Sequence, residues 1–175
     1  MTNRLAESRP DQADLPWRIP IVHNGAMGDV YEGDADDEGE VAVPLDDALV
    51  AAFWSYARLA HSPDRADRLA AEEFYWASLA VDSAICNRVD GVVALIVSLA
   101  DAAAGNLEDL AYLGAGPVED LLRFGETPPT ASMLDDLDAA ARSNENVRLA
   151  VRAVWWGPED DPQTVARFER FGPSY

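Results

Sequence analysis

The feature that most constrains this 175-residue sequence is an interrupted helical pattern between Leu107 and Gly125. Apolar residues recur at helical spacing on both sides of a Gly-Ala-Gly-Pro segment, residues 114–117. Pro117 has no N–H and its ring crowds the carbonyl four residues earlier, so a helix is predicted to bend or stop there. A new helix then begins with Pro117 in its first position and with Glu119 and Asp120 in its first turn, where carboxylates complement the helix dipole.

Backbone sterics, rather than ligand chemistry, are expected to explain this segment. A glycine-rich turn before a helix can bind phosphate, because its exposed N–H groups attract anions. The segment lacks the third glycine and the Lys-Ser/Thr pair of phosphate-binding loops, and its own carboxylates occupy the anion position. No cofactor site is therefore predicted. The residues predicted to be structural are Gly114, Gly116, Pro117, Glu119 and Asp120.

The residues around this segment resemble a bacterial family of unknown function. The shared pattern is small-Gly-Pro-aliphatic-Glu-Asp-Leu-Leu, which here covers Ala115 to Leu122. It is followed by Gly125, by an acidic helix over Asp135 to Ala141, and by a helix over Arg148 to Trp155. The resemblance implies a helical fold, and it brings no established activity.

Helical periodicity and capping signals predict an all-α domain over residues 45–175. We expect about seven helices, joined by short turns that favour antiparallel hairpins. Successive helices of similar length are compatible with a short stack of hairpins of the HEAT type or with an irregular orthogonal bundle. The first helix is predicted over Leu45 to Ala60, and a long second helix runs from Pro63 toward Asn87.

Residues 1–44 carry few periodic signals, and we expect an extended arm and an acidic loop packed on the helical domain. The stretch from Asp29 to Asp47 contains nine carboxylates and no arginine, which predicts a solvated loop or a docking surface. Its sequence is similar to the start of a calcium loop, but Leu45 stands where a bidentate glutamate is needed, so no metal site is predicted. The candidate partner-binding residues are Asp34, Asp36, Asp37, Glu38 and Glu40.

The sequence contains 32 acidic and 13 basic residues, and its formal net charge is −19. Such a surface repels nucleic acid and anionic membranes and favours basic partners. The single cysteine, Cys86, excludes an internal disulfide and is predicted to be a small buried hydrophobe. Neither a signal peptide nor an apolar run of membrane-spanning length is recognised, so a cytoplasmic protein is predicted.

No catalytic set is recognisable in the sequence, and no enzyme is predicted. The two histidines, His23 and His61, stand in no motif with a nucleophile or with a metal-binding glutamate. Glu119 precedes Arg123 by four residues, which is the spacing of a helix ion pair. Arg148 and Arg152 are expected to pair with one of the neighbouring carboxylates, which are Asp135, Asp136 and Glu145.

These patterns favour a non-enzymatic interaction protein: an acidic helical scaffold that docks or neutralises a basic protein partner, as an immunity or inhibitor protein does. One alternative is a small-molecule binder or enzyme with a pocket near Gly114–Glu119, in which Glu119 acts as acid or base. Another is a structural subunit of a larger assembly, which exposed Trp17, Trp155 or Trp156 would signal. The sequence makes no prediction of the oligomeric state.

Overall fold

A computed structural model describes residues 44, 46–123 and 128–172, and all regular structure in these ranges is helical. In chain order the α-helices are α1 (Asp47–Ala60), α2 (Arg65–Ala70), α3 (Tyr75–Cys86), α4 (Val92–Ala102), α5 (Leu107–Leu113), α6 (Glu119–Arg123), α7 (Ala131–Ser143), α8 (Glu145–Val151) and α9 (Pro162–Phe168). Short 3-10 segments at Ala71–Phe74 and Glu169–Phe171 follow α2 and α9, and a π-helical turn at Gly114–Val118 joins α5 to α6. Because α2 with α3 and α5 with α6 form continuous runs, the described residues contain seven helical runs, and the all-α prediction is confirmed.

Side-chain oxygens that accept hydrogen bonds from free N–H groups fix where the helices begin. Asn106 accepts bonds from the first turn of α5, Asn144 does so for α8, and Asp161 accepts the N–H of Thr164 at 2.8 Å in α9. The sequence predicts Asn106 and Asp161 as the residues that start these helices, and it leaves the start of α8 open between Asn144 and Asn146. Gly105 precedes Asn106 with a φ of 82°, a left-handed conformation that glycine adopts without steric cost.

Three predicted helix starts are wrong by one to two residues, because a neighbouring oxygen caps instead. Asp46, and not Pro44, caps α1 by accepting the N–H of Leu49 at 3.0 Å. Asp64 replaces the predicted Ser62–Pro63 start and caps α2. Thr130 caps α7, so the predicted start at Ser132 lies inside the helix.

Two other predicted helices are confirmed in part. The long helix predicted from Pro63 toward Asn87 is one continuous helical run from Arg65 to Cys86, whose middle turn, Ala71–Phe74, is a 3-10 segment. The helix predicted to reach Trp155 ends at Val151, and the chain then leaves helical geometry before Gly157.

The predicted interruption at Gly-Ala-Gly-Pro is confirmed for the α-helix, which ends at Leu113 and resumes at Glu119. The backbone between them stays helical, however, so the predicted start of a new helix at Pro117 is wrong. The N–H of Glu119 bonds to the carbonyl of Gly114, five residues earlier, as in a π-helix. Pro117 lies inside this wider turn. Since Pro117 has no N–H to satisfy, a turn with a changed hydrogen-bond register accommodates it without ending the helix.

The core surrounds α4, which is almost wholly apolar. Its residues Leu95, Ile96 and Leu99 are buried, and the Leu99 carbonyl accepts a hydrogen bond from the indole N–H of Trp54 in α1 at 3.0 Å. Helix α4 contacts α1, α7 and α8, and α8 also contacts α5. Because helices that are distant in sequence meet, the described residues form an irregular bundle and not a stack in which each hairpin contacts only the next.

Some predictions fall on other parts of the chain. The arm, the acidic loop with Asp34, Asp36, Asp37, Glu38 and Glu40, and Gly125 lie outside the described residues. Among the described helices, none combines the length and apolar content that a membrane crossing requires. Cys86 is exposed at the end of α3, so its predicted burial is wrong: its face of the helix is turned away from the core.

Candidate functional site

The π-turn and α6 present two faces. On one face the carboxylates are paired with an arginine, and on the other they are not. One face, which we call the closed face, is formed by Glu119, Arg123, Trp155 and Asp160. The Arg123 guanidinium donates to both carboxylate oxygens of Asp160, at 2.7 and 2.6 Å, and also pairs with Glu119. It lies 5.7 Å from the centroid of the Trp155 ring. One arginine therefore pairs with two carboxylates and fixes the loop that follows α8.

The closed face also determines what Glu119 can do. One of its oxygens pairs with Arg123, as the four-residue spacing predicted, and the other accepts the backbone N–H of Trp155 at 3.1 Å. The hydrogen bond from Arg123 lowers the pKa of Asp160, and the same bond raises the pKa of Arg123. The geometry thus gives Glu119 a structural task and does not support it as an acid or base.

The other face, which we call the open face, is a pocket of about 160 Å³ between α1, α3, α5 and α6. Helix α3 contributes residues 78, 81 and 82, which the helical repeat places on one side, and the π-turn contributes residues 115–117. The lining residues are Phe53, Ser78, Val81, Asp82, Tyr112, Ala115, Gly116, Pro117 and Asp120. Two carboxylates, two hydroxyls and two aromatic rings therefore converge on one small cavity.

The two glycines of the π-turn lie in different surroundings: one packs closely against α8, and the other borders the pocket. A Cβ on Gly114 would stand 2.0 Å from the carbonyl oxygen of Ala150 in α8, so only glycine allows this approach. A Cβ on Gly116 would meet no atom within 4 Å, because Gly116 borders the open pocket. Close packing thus accounts for Gly114, and it gives no reason for Gly116.

The carboxylates of the open face are electrostatically uncompensated. Burial, together with the negative charges of Asp82 and Glu119, raises the pKa of Asp120 to about 6, although Arg123 opposes the shift. Partial loss of water around its carboxylate raises the pKa of Asp82 as well. No ion pair within the described residues involves either of them. A cation that entered this pocket would relieve the cost of holding both charges.

Tyr112 connects this pocket to the hydrophobic core. Its ring lies 6.3 Å from the ring centroids of both Phe53 and Trp54, and it meets His61 edge-on at 5.2 Å. Burial, followed by the nearby carboxylates, raises the pKa of its hydroxyl. The ring is therefore held in place by packing, and its hydroxyl stays protonated at neutral pH.

A larger cavity of about 460 Å³ lies between the α3–α4 turn and the start of α7. Its lining combines the apolar side chains of Val93, Val97 and Met133 with Asp90 and Asp136. Arg88 also lines this cavity, so its carboxylates share it with an arginine, whereas no arginine of the described residues lines the smaller pocket. The smaller pocket is therefore the candidate site. No group of three or more potential metal ligands occurs among residues 44, 46–123 and 128–172.

The sequence singled out Asp120 but assigned it a structural role, and it missed Asp82. A signal for Asp82 was present, because it is the one charged residue in the twelve residues of α3. Of the tryptophans considered as docking residues, Trp155 is 66% exposed, Trp156 is half-buried, and Trp17 lies outside the described residues. Arg148 pairs with Glu145, as expected.

Comparison with known proteins gives one match. A model of a family of unknown function, DUF6869, matches residues 64–172, which are more than half of the chain and include both pocket carboxylates. No curated protein and no solved structure matches the chain. The chain therefore belongs to the DUF6869 family of unknown function.

Proposed function

We propose that this chain is a non-enzymatic interaction protein whose acidic helical scaffold docks a basic protein partner in the cytoplasm. The observation that carries the proposal is the open face, where Asp82 and Asp120 share a pocket and pair with no arginine of the described residues. A basic side chain from a partner would supply the missing positive charge. The same charges would steer a basic protein toward this surface.

The pairing of the arginines supports a role in partner binding for the carboxylates that remain unpaired. Six arginines of the described residues already pair with carboxylates of the chain: Arg58, Arg123, Arg142, Arg148, Arg167 and Arg170. The surplus that gives the chain its net charge of −19 therefore remains for solvent or for a partner. An immunity or inhibitor protein acting on a nucleic-acid-directed toxin is the concrete form, because such a toxin must present a basic face.

The acidic loop extends this proposal beyond the described residues. Asp34, Asp36, Asp37, Glu38 and Glu40 add five carboxylates within seven residues of sequence, with no basic residue among them. They are proposed as a second contact for the same partner. Their removal is expected to slow association, because long-range attraction acts mainly on the encounter rate.

A second candidate function is supported by the pocket itself. A cavity of about 160 Å³ lined by carboxylates and aromatic rings also suits a small organic cation. This corresponds to the small-molecule alternative near Gly114–Glu119, with Asp120 in place of Glu119. It differs from protein docking in one respect: a free cation would then bind as well as a cation carried by a polypeptide.

Site-specific cross-linking tests the docking function. The photo-reactive residue p-benzoylphenylalanine is placed at Leu79, an exposed residue of α3 one turn from Asp82, in cells that naturally produce the chain. We expect irradiation to link this position to a basic protein. The matched control is the same residue at Leu107, an exposed leucine at the start of α5.

The partner then has to meet two further conditions. Its purified form should bind less tightly as salt rises, and the double substitution Asp82→Asn with Asp120→Asn should remove the cross-link. Asp136→Asn, which removes a charge that forms no ion pair with any described residue, should leave the cross-link intact. Absence of a link at Leu79, equal links at both positions, or a link that survives the double substitution would each overturn the proposal.

A further inference from the structure

Two arginines of the chain bind carboxylates next to an aromatic ring, and the open face has carboxylates and rings without an arginine. Arg58 donates two hydrogen bonds to Asp109, at 3.0 and 2.6 Å, and lies 5.7 Å from the centroid of the Trp54 ring. Arg123 combines Glu119 and Asp160 with the Trp155 ring in the same way. Each guanidinium thus joins a carboxylate to an aromatic face.

The same set of acceptors occurs a third time without an arginine. In the open face, Asp82 and Asp120 supply the carboxylates, and Phe53 and Tyr112 supply the rings. No arginine within residues 44, 46–123 and 128–172 lines this pocket. The cavity between these groups is open, with a volume of about 160 Å³.

We propose that the open face receives the guanidinium of an arginine side chain from the basic partner. This inference rests on the proposed docking function and specifies the group that the partner inserts. The carboxylates come from α3 and α6, two separate helices, so acceptors approach the cavity from different directions. The hydroxyls of Ser78 and Tyr112 add further acceptors at the same cavity.

Guanidinium chemistry fits this arrangement better than ammonium chemistry. A guanidinium presents five N–H donors in a planar fork, which can serve two carboxylates at once, and its weakly hydrated faces stack on aromatic rings. An ammonium is a compact, strongly hydrated charge, and it loses more hydration in a cavity with apolar walls. Val81, Ala115 and Pro117 provide such walls here.

The test is an NMR titration of the full chain with three capped tripeptides, Gly-X-Gly, in which X is arginine, lysine or citrulline. Citrulline is the matched control, because it has nearly the shape of arginine but no charge. We expect arginine to shift the amide signals of residues 78–82 and 112–120 with an affinity about tenfold higher than that of lysine. Citrulline is expected to cause no shift.

Variants connect the binding to the pocket. Asp82→Asn and Asp120→Asn should each weaken the arginine peptide about tenfold, whereas Asp136→Asn should leave its affinity unchanged. Free arginine carries the same net charge of +1 as the capped peptide and lacks the flanking peptide groups, so it should bind no more tightly than the peptide. Each variant's unperturbed amide spectrum away from the pocket confirms that the fold is intact.

The outcomes separate this inference from the docking function. Equal affinities for arginine and lysine would overturn the guanidinium assignment and leave basic docking standing. Tighter binding of free arginine than of the peptide would indicate a small-molecule site and would overturn the assignment to a partner's side chain. If no peptide shifts the pocket signals, the inference falls, and the cross-link at Leu79 decides the docking function by itself.

Discussion

Glu119 and Asp120 are adjacent in the first turn of the same short helix, yet their side chains have different surroundings. Glu119 lies on the closed face, where Arg123 and a backbone N–H satisfy both of its oxygens. Asp120 lies on the open face, where burial and the charge of Asp82 raise its pKa to about 6. The difference shows that the number of acidic residues says little about function. What matters is whether the fold supplies each one with a partner.

The largest effect is expected on the closed face. Arg123→Met removes the cation that, among the described residues, pairs with Glu119 and Asp160, whose side chains are 17% and 6% exposed. Removing one partner of such a buried network leaves carboxylates without compensation. We expect the free energy of unfolding to fall by about 3–5 kcal/mol, measured by urea denaturation.

Arg148→Met is the matched control for this substitution. Arg148 pairs with Glu145, which is 68% exposed, so its loss should cost less than about 1 kcal/mol. Similar losses in the two variants would contradict the closed face as a buried ionic network. In that case the ion pairs of the closed face would stabilise the fold no more than an exposed surface pair does.

An intermediate effect is expected from the two glycines of the π-turn. Gly114→Ala places a methyl group 2.0 Å from the Ala150 carbonyl oxygen, so α5 and α8 must separate, at a cost of about 1–3 kcal/mol. Gly116→Ala meets open space and should be neutral or stabilising by up to about 1 kcal/mol. Thermal unfolding of both variants measures the difference. Equal destabilisation would mean that both faces of the turn are packed.

The sequence predicted much of the fold, because helix periodicity and capping are local properties. Asn106 and Asp161 cap helices as expected, and Asn144 is one of the two residues expected to cap α8. The effect of Pro117 was misjudged, because the choice between a broken helix and a π-turn depends on how α5 and α6 pack against the rest of the bundle.

The pocket could be predicted only in part. The sequence identified residues 114–120 as unusual, and Asp120 was among them. Asp82 lies 38 positions earlier, on a different helix, and only the packing of α3 against α6 brings the two carboxylates to one cavity. Sequence spacing cannot reveal such a pair. The indication that the sequence does contain is that Asp82 is the single charged residue of α3.

The smallest effect concerns the pH dependence of Asp120. Its pKa rises from the ordinary value of 3.8 to about 6 on folding, so the stability it contributes is complete below about pH 4 and is lost as the pH rises through 6. The full shift corresponds to about 3 kcal/mol, and solvent around the half-buried group reduces this to about 1 kcal/mol. Asp120→Asn should therefore equal the natural chain at pH 3.5 and exceed its unfolding free energy by about 1 kcal/mol at pH 7.5.

Asp160 provides the opposite case, since the bond from Arg123 lowers its pKa. Its contribution is present above the ordinary value and is lost as the pH falls through the lowered one, so Asp160→Asn should be less stable than the natural chain at neutral pH and should approach it in acid. Urea denaturation at several pH values, with Asp136→Asn as control, measures both trends.

A bound guanidinium would lower the pKa of Asp120 and reverse the advantage of Asp120→Asn. The arginine tripeptide should therefore stabilise the natural chain more than the variant at pH 7.5, and an equal gain in both would show that Asp120 does not face the ligand.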